Sequence, residues 1–353
     1  MEQRRIDCDV HVAVPSRDAL TPYLTKHWVE YLAVLMNYRQ PPGVGWTYPA
    51  WPEMFATPAA DVTLAELQSD VLVNADAALL HCYYGVESLN HPYLAPALAT
   101  AVNSWLAEQW LDQDERLLGS AVVAPQFPPS AVAEIERIAQ DDRFVEVLLP
   151  AWAVAAYGTQ RFWPILEAAA KHNLVVGITY GGLTSTPPTP VNWMSSFFED
   201  YVVAIIAFQS QLASLVYSGV LEEYPDLRFT VSESGWTWLP AFMWRMDTEW
   251  KAYQREIPWV REPPSTYVRR HFRFTTQPID MPPSTDQLRQ ILEQLGSEDI
   301  LLHGSDYPHR YPTDVDELVS ELEPQRLERM RHGVAYEWYG LASRVRAASG
   351  ERV

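Results

Sequence analysis

From residue 61 onward, short apolar runs alternate with longer stretches in which apolar residues recur at helical spacing. The runs "AALLHCYYG" (77–85), "LLGSAVVAP" (117–125), "FVEVLLP" (144–150), "LVVGITYGG" (174–182), "LRFTVSESG" (227–235), "FRFTTQP" (272–278) and "DILLHGSDYPH" (299–309) read as buried strands. Between them the pattern predicts helices over 92–113, 129–141, 160–171, 195–218, 236–254 and 285–295, the second with Ser130 as a candidate cap. An opening strand, "RIDCDVHV" (5–12), brings the number of strands to eight. Strict strand–helix alternation implies a parallel sheet, and eight such units imply closure into a (β/α)8 TIM barrel. The rival is an open doubly wound sheet, but no G-x-G-x-x-G or Walker loop follows any strand.

Two segments stand outside this rhythm. Residues 13–60, with "QPPGVGWTYPAWPEMFATP", lack a sustained period and read as an irregular, aromatic- and proline-rich insertion after the first strand. Residues 314–353 form a C-terminal tail, helical to about 346. The 353 residues are otherwise read as one domain, with 48% hydrophobic residues, 14 Trp and 18 Tyr to fill a single large core. The formal charge is −19 and the basic residues are scattered, which argues against nucleic acid as a partner. Cys8 and Cys82 lie in apolar strands and imply no disulfide framework. With no signal-like start and no run of membrane-spanning length read in the pattern, the expectation is a cytoplasmic protein that meets a small-molecule substrate and no membrane.

The first strand carries Asp7, Asp9 and His11 at alternate positions, so a regular strand would project all three to one face. In a barrel the chemistry sits at the C-terminal strand ends. Those ends offer Asp9 and His11, His81 and Tyr83, Thr179, Ser232 and Glu233, Thr276 and Gln277, and His303, Asp306 and His309. Each has a structural alternative: Glu233 as a helix cap, Asp306 as a turn residue, His81 as a satisfied core histidine. Their shared place on one rim points instead to a metal or acid–base site.

The order of "IDCDVH", "LVVGITYGG", "GVLEEYPDLRFTVSESGWTWLPAFMWRMD" and "ILLHGSDYPH" resembles the amidohydrolase-2 group of the amidohydrolase superfamily, relatives of aminocarboxymuconate-semialdehyde decarboxylase. The resemblance runs over nearly the whole chain and is weakest over 13–60. It implies a (β/α)8 barrel, a single divalent metal, and hydrolysis or decarboxylation of a carboxyl- or carbonyl-bearing, often aromatic, molecule. On the family pattern Asp9, His11 and Asp306 are the metal ligands, Asp9 standing where His or Glu is usual. His11, Glu233, Asp306 and His309 would carry the catalysis. The family's strand-5 histidine is replaced by Thr179, and its strand-6 histidine by Glu233. Such an oxygen-rich set favours Mn²⁺ or Mg²⁺ over Zn²⁺; without a metal, the crowded carboxylates and His11 would themselves form acid–base machinery.

Tyr83, Tyr180, Trp193 and Trp236 are candidate walls for a planar substrate, and Arg310 a candidate anchor for its carboxylate. The resemblance also implies a homodimer. The alternative to an enzyme is a non-catalytic small-molecule-binding barrel that has lost its ligands.

Overall fold

The computed structural model describes residues 5–36, 62–182, 189, 191, 194–316, 319 and 324–342. Eight strands follow in chain order around one sheet: β1 (Ile6–His11), β2 (Ala77–His81), β3 (Leu117–Val122), β4 (Phe144–Trp152), β5 (Val175–Gly182), β6 (Phe229–Val231), β7 (Phe272–Thr275) and β8 (Leu301–Leu302). Every neighbouring pair is parallel. Main-chain hydrogen bonds close the ring: Cys8 N–H donates to His303 O (2.9 Å), His11 N–H to Tyr307 O (2.7 Å), and Asp306 N–H to Asp9 O (2.9 Å). The barrel expected from the alternation is the fold observed.

The helices differ from the sequence pattern in detail. The predicted 195–218 helix is two, Phe197–Val203 and Ile205–Tyr217. The run Phe198–Tyr217 is long and apolar enough to cross a membrane by length and composition alone, contrary to the reading that no run is. Its Phe208, Leu212, Leu215 and Val216 are buried in the main core, while Phe198 and Val202 are exposed. The helix after β3 begins at Pro128, whose missing N–H costs nothing in a first turn, so Ser130 lies inside it. The described part of the 13–60 insertion is not irregular: it holds a 3₁₀ turn, Arg17–Tyr23, and a helix, Lys26–Met36. Residues 37–60 lie outside the described residues. A helix at Pro264–His271, which the apolar pattern did not predict, precedes β7.

The uniform face of β1 is the main correction. Its pairing with β2 shifts register between Asp7 and Val10, and such a bulge breaks the period of two. Asp9 and His11 meet His81 inside the barrel. Asp7 instead accepts the N–H groups of Ser305 (2.9 Å) and Asp9 (3.2 Å), tying β1 to the loop after β8.

One apolar cluster fills the space between barrel and helices. A second joins Ile6, Cys8, Leu79, Val145 and Val175 to Val334, Trp338 and Tyr339 of the tail, so the tail closes the end of the barrel away from the site. The tail is also held by charge. Buried Asp316 pairs with Arg5 (3.0 Å), His303 (3.1 Å) and Arg331 (2.7 Å). Burial opposes its ionisation, yet His303, Arg331 and Arg5 together hold its carboxyl below the ordinary 3.8. The stabilisation is therefore complete above that ordinary value and lost as pH falls through the lower folded one. In urea denaturation at about pH 7, Asp316→Ala is expected to cost on the order of 3 kcal/mol, with wild type and variant converging in acid; equal stability at neutral pH would show the network to be incidental.

Candidate active site

The strand tips bring five ionisable side chains together. His11 Nε2 lies 3.0 Å from Asp9 Oδ1, 3.0 Å from Asp306 Oδ1 and 4.0 Å from Glu233 Oε1. His309 Nδ1 is 3.0 Å from Asp306 Oδ1, and its ring stands edge-on to His11. Asp9 and Asp306 are buried, while the His11 and Glu233 side chains keep 12% and 15% exposure, so the cluster opens towards those two.

Local backbone geometry aims these groups. Glu233 and Asp306 both adopt left-handed conformations, with φ of 61° and 57°, unusual for residues with a Cβ. Glu233 Oε2 accepts hydrogen bonds from the Thr179 hydroxyl and from Tyr180 N–H (3.1 Å). Thr179, standing where the family pattern has histidine, thus holds the strand-6 carboxylate. The Tyr311 hydroxyl donates to Asp306 Oδ2, and Thr275 Oγ1 to Asp9 Oδ2 (3.2 Å). Gly304 allows the close approach of β8: a Cβ there would lie 2.9 Å from Asp9 Cβ and 2.8 Å from Thr275 Cβ.

Below the rim, His81 Nδ1 is 3.1 Å from Asp9 Oδ1 and His81 Nε2 is 3.0 Å from Glu146 Oε1. Glu146 also accepts from Ser120 (2.7 Å) and the Tyr339 hydroxyl (3.0 Å). A second register shift, between β3 and β4, turns Glu146 inward, and Gly177 makes room for it, since a Cβ there would lie 2.3 Å from its Oε1.

Charges in this interior push one another strongly. Burial works against a charge on His11, but Glu233, Asp9 and Asp306 outweigh it and hold the imidazole well above the usual histidine range. Burial likewise opposes a charge on His81, and Asp9 and Glu146 raise it to about 9. Burial lifts Glu233 to about 7; the His11 charge opposes this, and Asp306 and Asp9 add to it. Despite burial, Asp306 is held well below the usual carboxylate range by His11 and His309.

The same atoms can hold a divalent cation. Two sets have ligand atoms within 4.8 Å of one another: Asp9, His11 and His81, and His11, Glu233 and Asp306. Asp9 Oδ1, His11 Nε2 and His81 Nδ1 are buried and make no hydrogen bond despite their close spacing. These three atoms lie within 4.8 Å of one another, so with the imidazoles deprotonated the donor set fits a metal.

Beside the cluster lies a cavity of about 470 Å³, lined by Tyr180, Tyr201, Ile205, Glu233, Asp280 and Tyr311 among others. Among the described residues no Lys or Arg lines it.

Of the residues singled out in the sequence, Asp9, His11, Glu233, Asp306 and His309 meet at the cluster, and Tyr180 lines the cavity. Trp236 does not wall it: the ring is fully buried in the core, its N–H directed at Thr276 O (3.3 Å). Arg310 is no anchor either, since its side chain is 88% exposed and nearest Asp70. The Tyr83 hydroxyl is engaged by Glu87, and the ring packs over Gly181. His303 faces Asp316. Trp193 lies outside the described residues. Sequence pattern alone missed Tyr201, Tyr311, Asp280 and Glu146. Only Glu146 left a signal, a carboxylate within the apolar run "FVEVLLP".

A family model described as amidohydrolase matches residues 6–341, and the chain belongs to that family. Its barrel is similar to 5-carboxyvanillate decarboxylase from Sphingomonas paucimobilis (20% identity, 96% of this chain and 99% of that one, TM-score 0.69). It is also similar to 2,6-dihydroxybenzoate decarboxylase from Rhizobium (17%, 96% and 99%, TM-score 0.67). A third relative is a dihydroxybenzoic acid decarboxylase from Polaromonas sp. JS666, solved with bound manganese and the inhibitor 2-nitroresorcinol (18%, 96% and 98%, TM-score 0.69). At these identities the likeness is one of fold. No curated protein matches the chain.

A cation entering this cluster must displace protons from the raised imidazoles, so affinity rises with pH. Mn²⁺ titrated calorimetrically is expected to bind about tenfold tighter per pH unit for each proton released, between about pH 6 and pH 8. His11→Gln, which removes the nitrogen shared by both ligand sets, should abolish binding. A pH-independent affinity, or binding retained in the variant, would contradict the assignment.

Proposed function

We propose that this protein is a metal-dependent decarboxylase of a small aromatic carboxylic acid. The observation that carries the reading is Glu233, a carboxyl raised to about 7 that borders both a cation-binding cluster and a tyrosine-lined cavity. A group with that pKa is protonated often enough near neutral pH to donate and basic enough to be recharged. The decarboxylase relatives of the same fold support the choice of reaction within the family.

Asp9, His11 and Asp306 would hold the divalent ion. A bound ion would supply positive charge for the substrate's carboxylate in a cavity whose described lining has no Lys or Arg. Tyr180, edge-on to Trp152 and close to Tyr201, offers a face for a planar ring. The volume suits a single-ring compound. Glu233 delivers its proton to the ring carbon bearing the carboxylate; the bond to that carboxylate then breaks, its electron pair returns to the ring, and carbon dioxide leaves. Water restores the proton to Glu233. His309 holds Asp306 in place, and Thr179 fixes the Glu233 oxygen it contacts.

The test is incubation of the Mn²⁺-loaded chain with 2,6-dihydroxybenzoate, 5-carboxyvanillate and related hydroxy- and methoxybenzoates in D₂O. Carbon dioxide release with one deuterium at the vacated ring carbon is expected. Glu233→Gln should lower kcat by at least about 100-fold. Absence of carbon dioxide from the whole panel, or a Glu233→Gln variant of undiminished rate, would overturn the proposal.

A further inference from the structure

We infer that His81, on β2, is itself a ligand of the divalent-cation centre, supplying the second imidazole nitrogen that Thr179 does not provide at the end of β5. The inference rests on the metal-dependent reading above and deepens it.

Three observations converge on His81. Its Nδ1 is buried, lies 3.1 Å from Asp9 Oδ1, and makes no hydrogen bond. Donor atoms that share one ion about 2.1 Å away sit roughly this far apart. The nearby His11 Nε2 and Asp9 Oδ1 are orphaned in the same way, so the three atoms form one unsatisfied centre.

The second observation is Glu146. The other ring nitrogen of His81 lies 3.0 Å from its Oε1, a carboxylate that keeps a proton on Nε2, so that the proton a cation displaces is the one on Nδ1, which faces Asp9. A carboxylate behind a metal-bound imidazole is the usual means of fixing its tautomer and raising its basicity. Glu146 is positioned for this by Ser120 and Tyr339, in space left by Gly177.

Third, the position opposite is filled differently. The Thr179 hydroxyl donates to Glu233, and β5 carries no imidazole or carboxylate to present to the centre. A cation that used His81 would be held by Asp9, His11 and His81, whose donor atoms lie within 4.8 Å of one another on β1 and β2 and supply two nitrogens and one oxygen. The rival is a doubly protonated His81 bridging Asp9 and Glu146, which would donate from both nitrogens.

The experiment is pulsed electron paramagnetic resonance of Mn²⁺ bound to the full chain, with natural-abundance and ¹⁵N-histidine protein compared to count coordinated imidazoles. Two are expected in the wild type, two in His309→Gln, and one in His81→Asn. One imidazole in the wild type would overturn the assignment while leaving metal dependence intact, as would a count that drops in His309→Gln. Failure of the wild type to bind Mn²⁺ would overturn both. Should His81→Asn not fold, the wild-type and His309→Gln counts decide.

Discussion

Buried like charges must be neutralised, and this barrel encloses four carboxylates, Asp9, Glu146, Glu233 and Asp306, around His11 and His81. Isolated, each ionised carboxylate in such an interior would carry a desolvation cost of several kcal/mol. Side chains alone meet the constraint with protons, which is why His11 is pulled up and Asp306 down while Glu233 titrates near neutrality. A divalent ion would meet the same constraint with its own positive charge.

The scaffold commits backbone strain to that arrangement. Left-handed conformations at Glu233 and Asp306 cost on the order of 1–3 kcal/mol each and persist only where surrounding bonds over-determine them. Here those bonds are the β1–β8 closure, the clasp of Asp7 on Ser305, and the hydrogen bonds from Thr179 and Tyr180. The two register shifts act in the same direction, since each turns an acidic side chain inward, Asp9 on β1 and Glu146 on β4. Fold closure and site geometry therefore draw on the same hydrogen bonds.

The exchange of Thr for His on β5 and Glu for His on β6 changes the kind of site more than its existence. Thr179 and Glu233 are bonded to each other, so the replacements form a matched pair. On the proposed reading, proton transfer would reside on the Glu233 carboxyl and imidazole ligation on the β1 and β2 side of the barrel.

Much of this is legible in the order of residues alone. The alternation of apolar runs and amphipathic stretches determines the number and order of strands, because parallel strands need crossovers and each crossover writes its own period into the chain. Asp9, His11, Glu233, Asp306 and His309 can be picked out for the same reason, since strand ends on one rim must converge. What periodicity cannot carry are the interruptions of it. The bulges that separate Asp7 from Asp9 and turn Glu146 inward depend on packing between neighbouring strands. The burial of Trp236 and the outward turn of Arg310 depend on neighbours far away in sequence. His81 is the sharpest case: a core histidine and a metal ligand look alike along the chain, and they part only when the two nitrogens are seen, one bonded to Glu146 and the other facing Asp9 without a hydrogen bond.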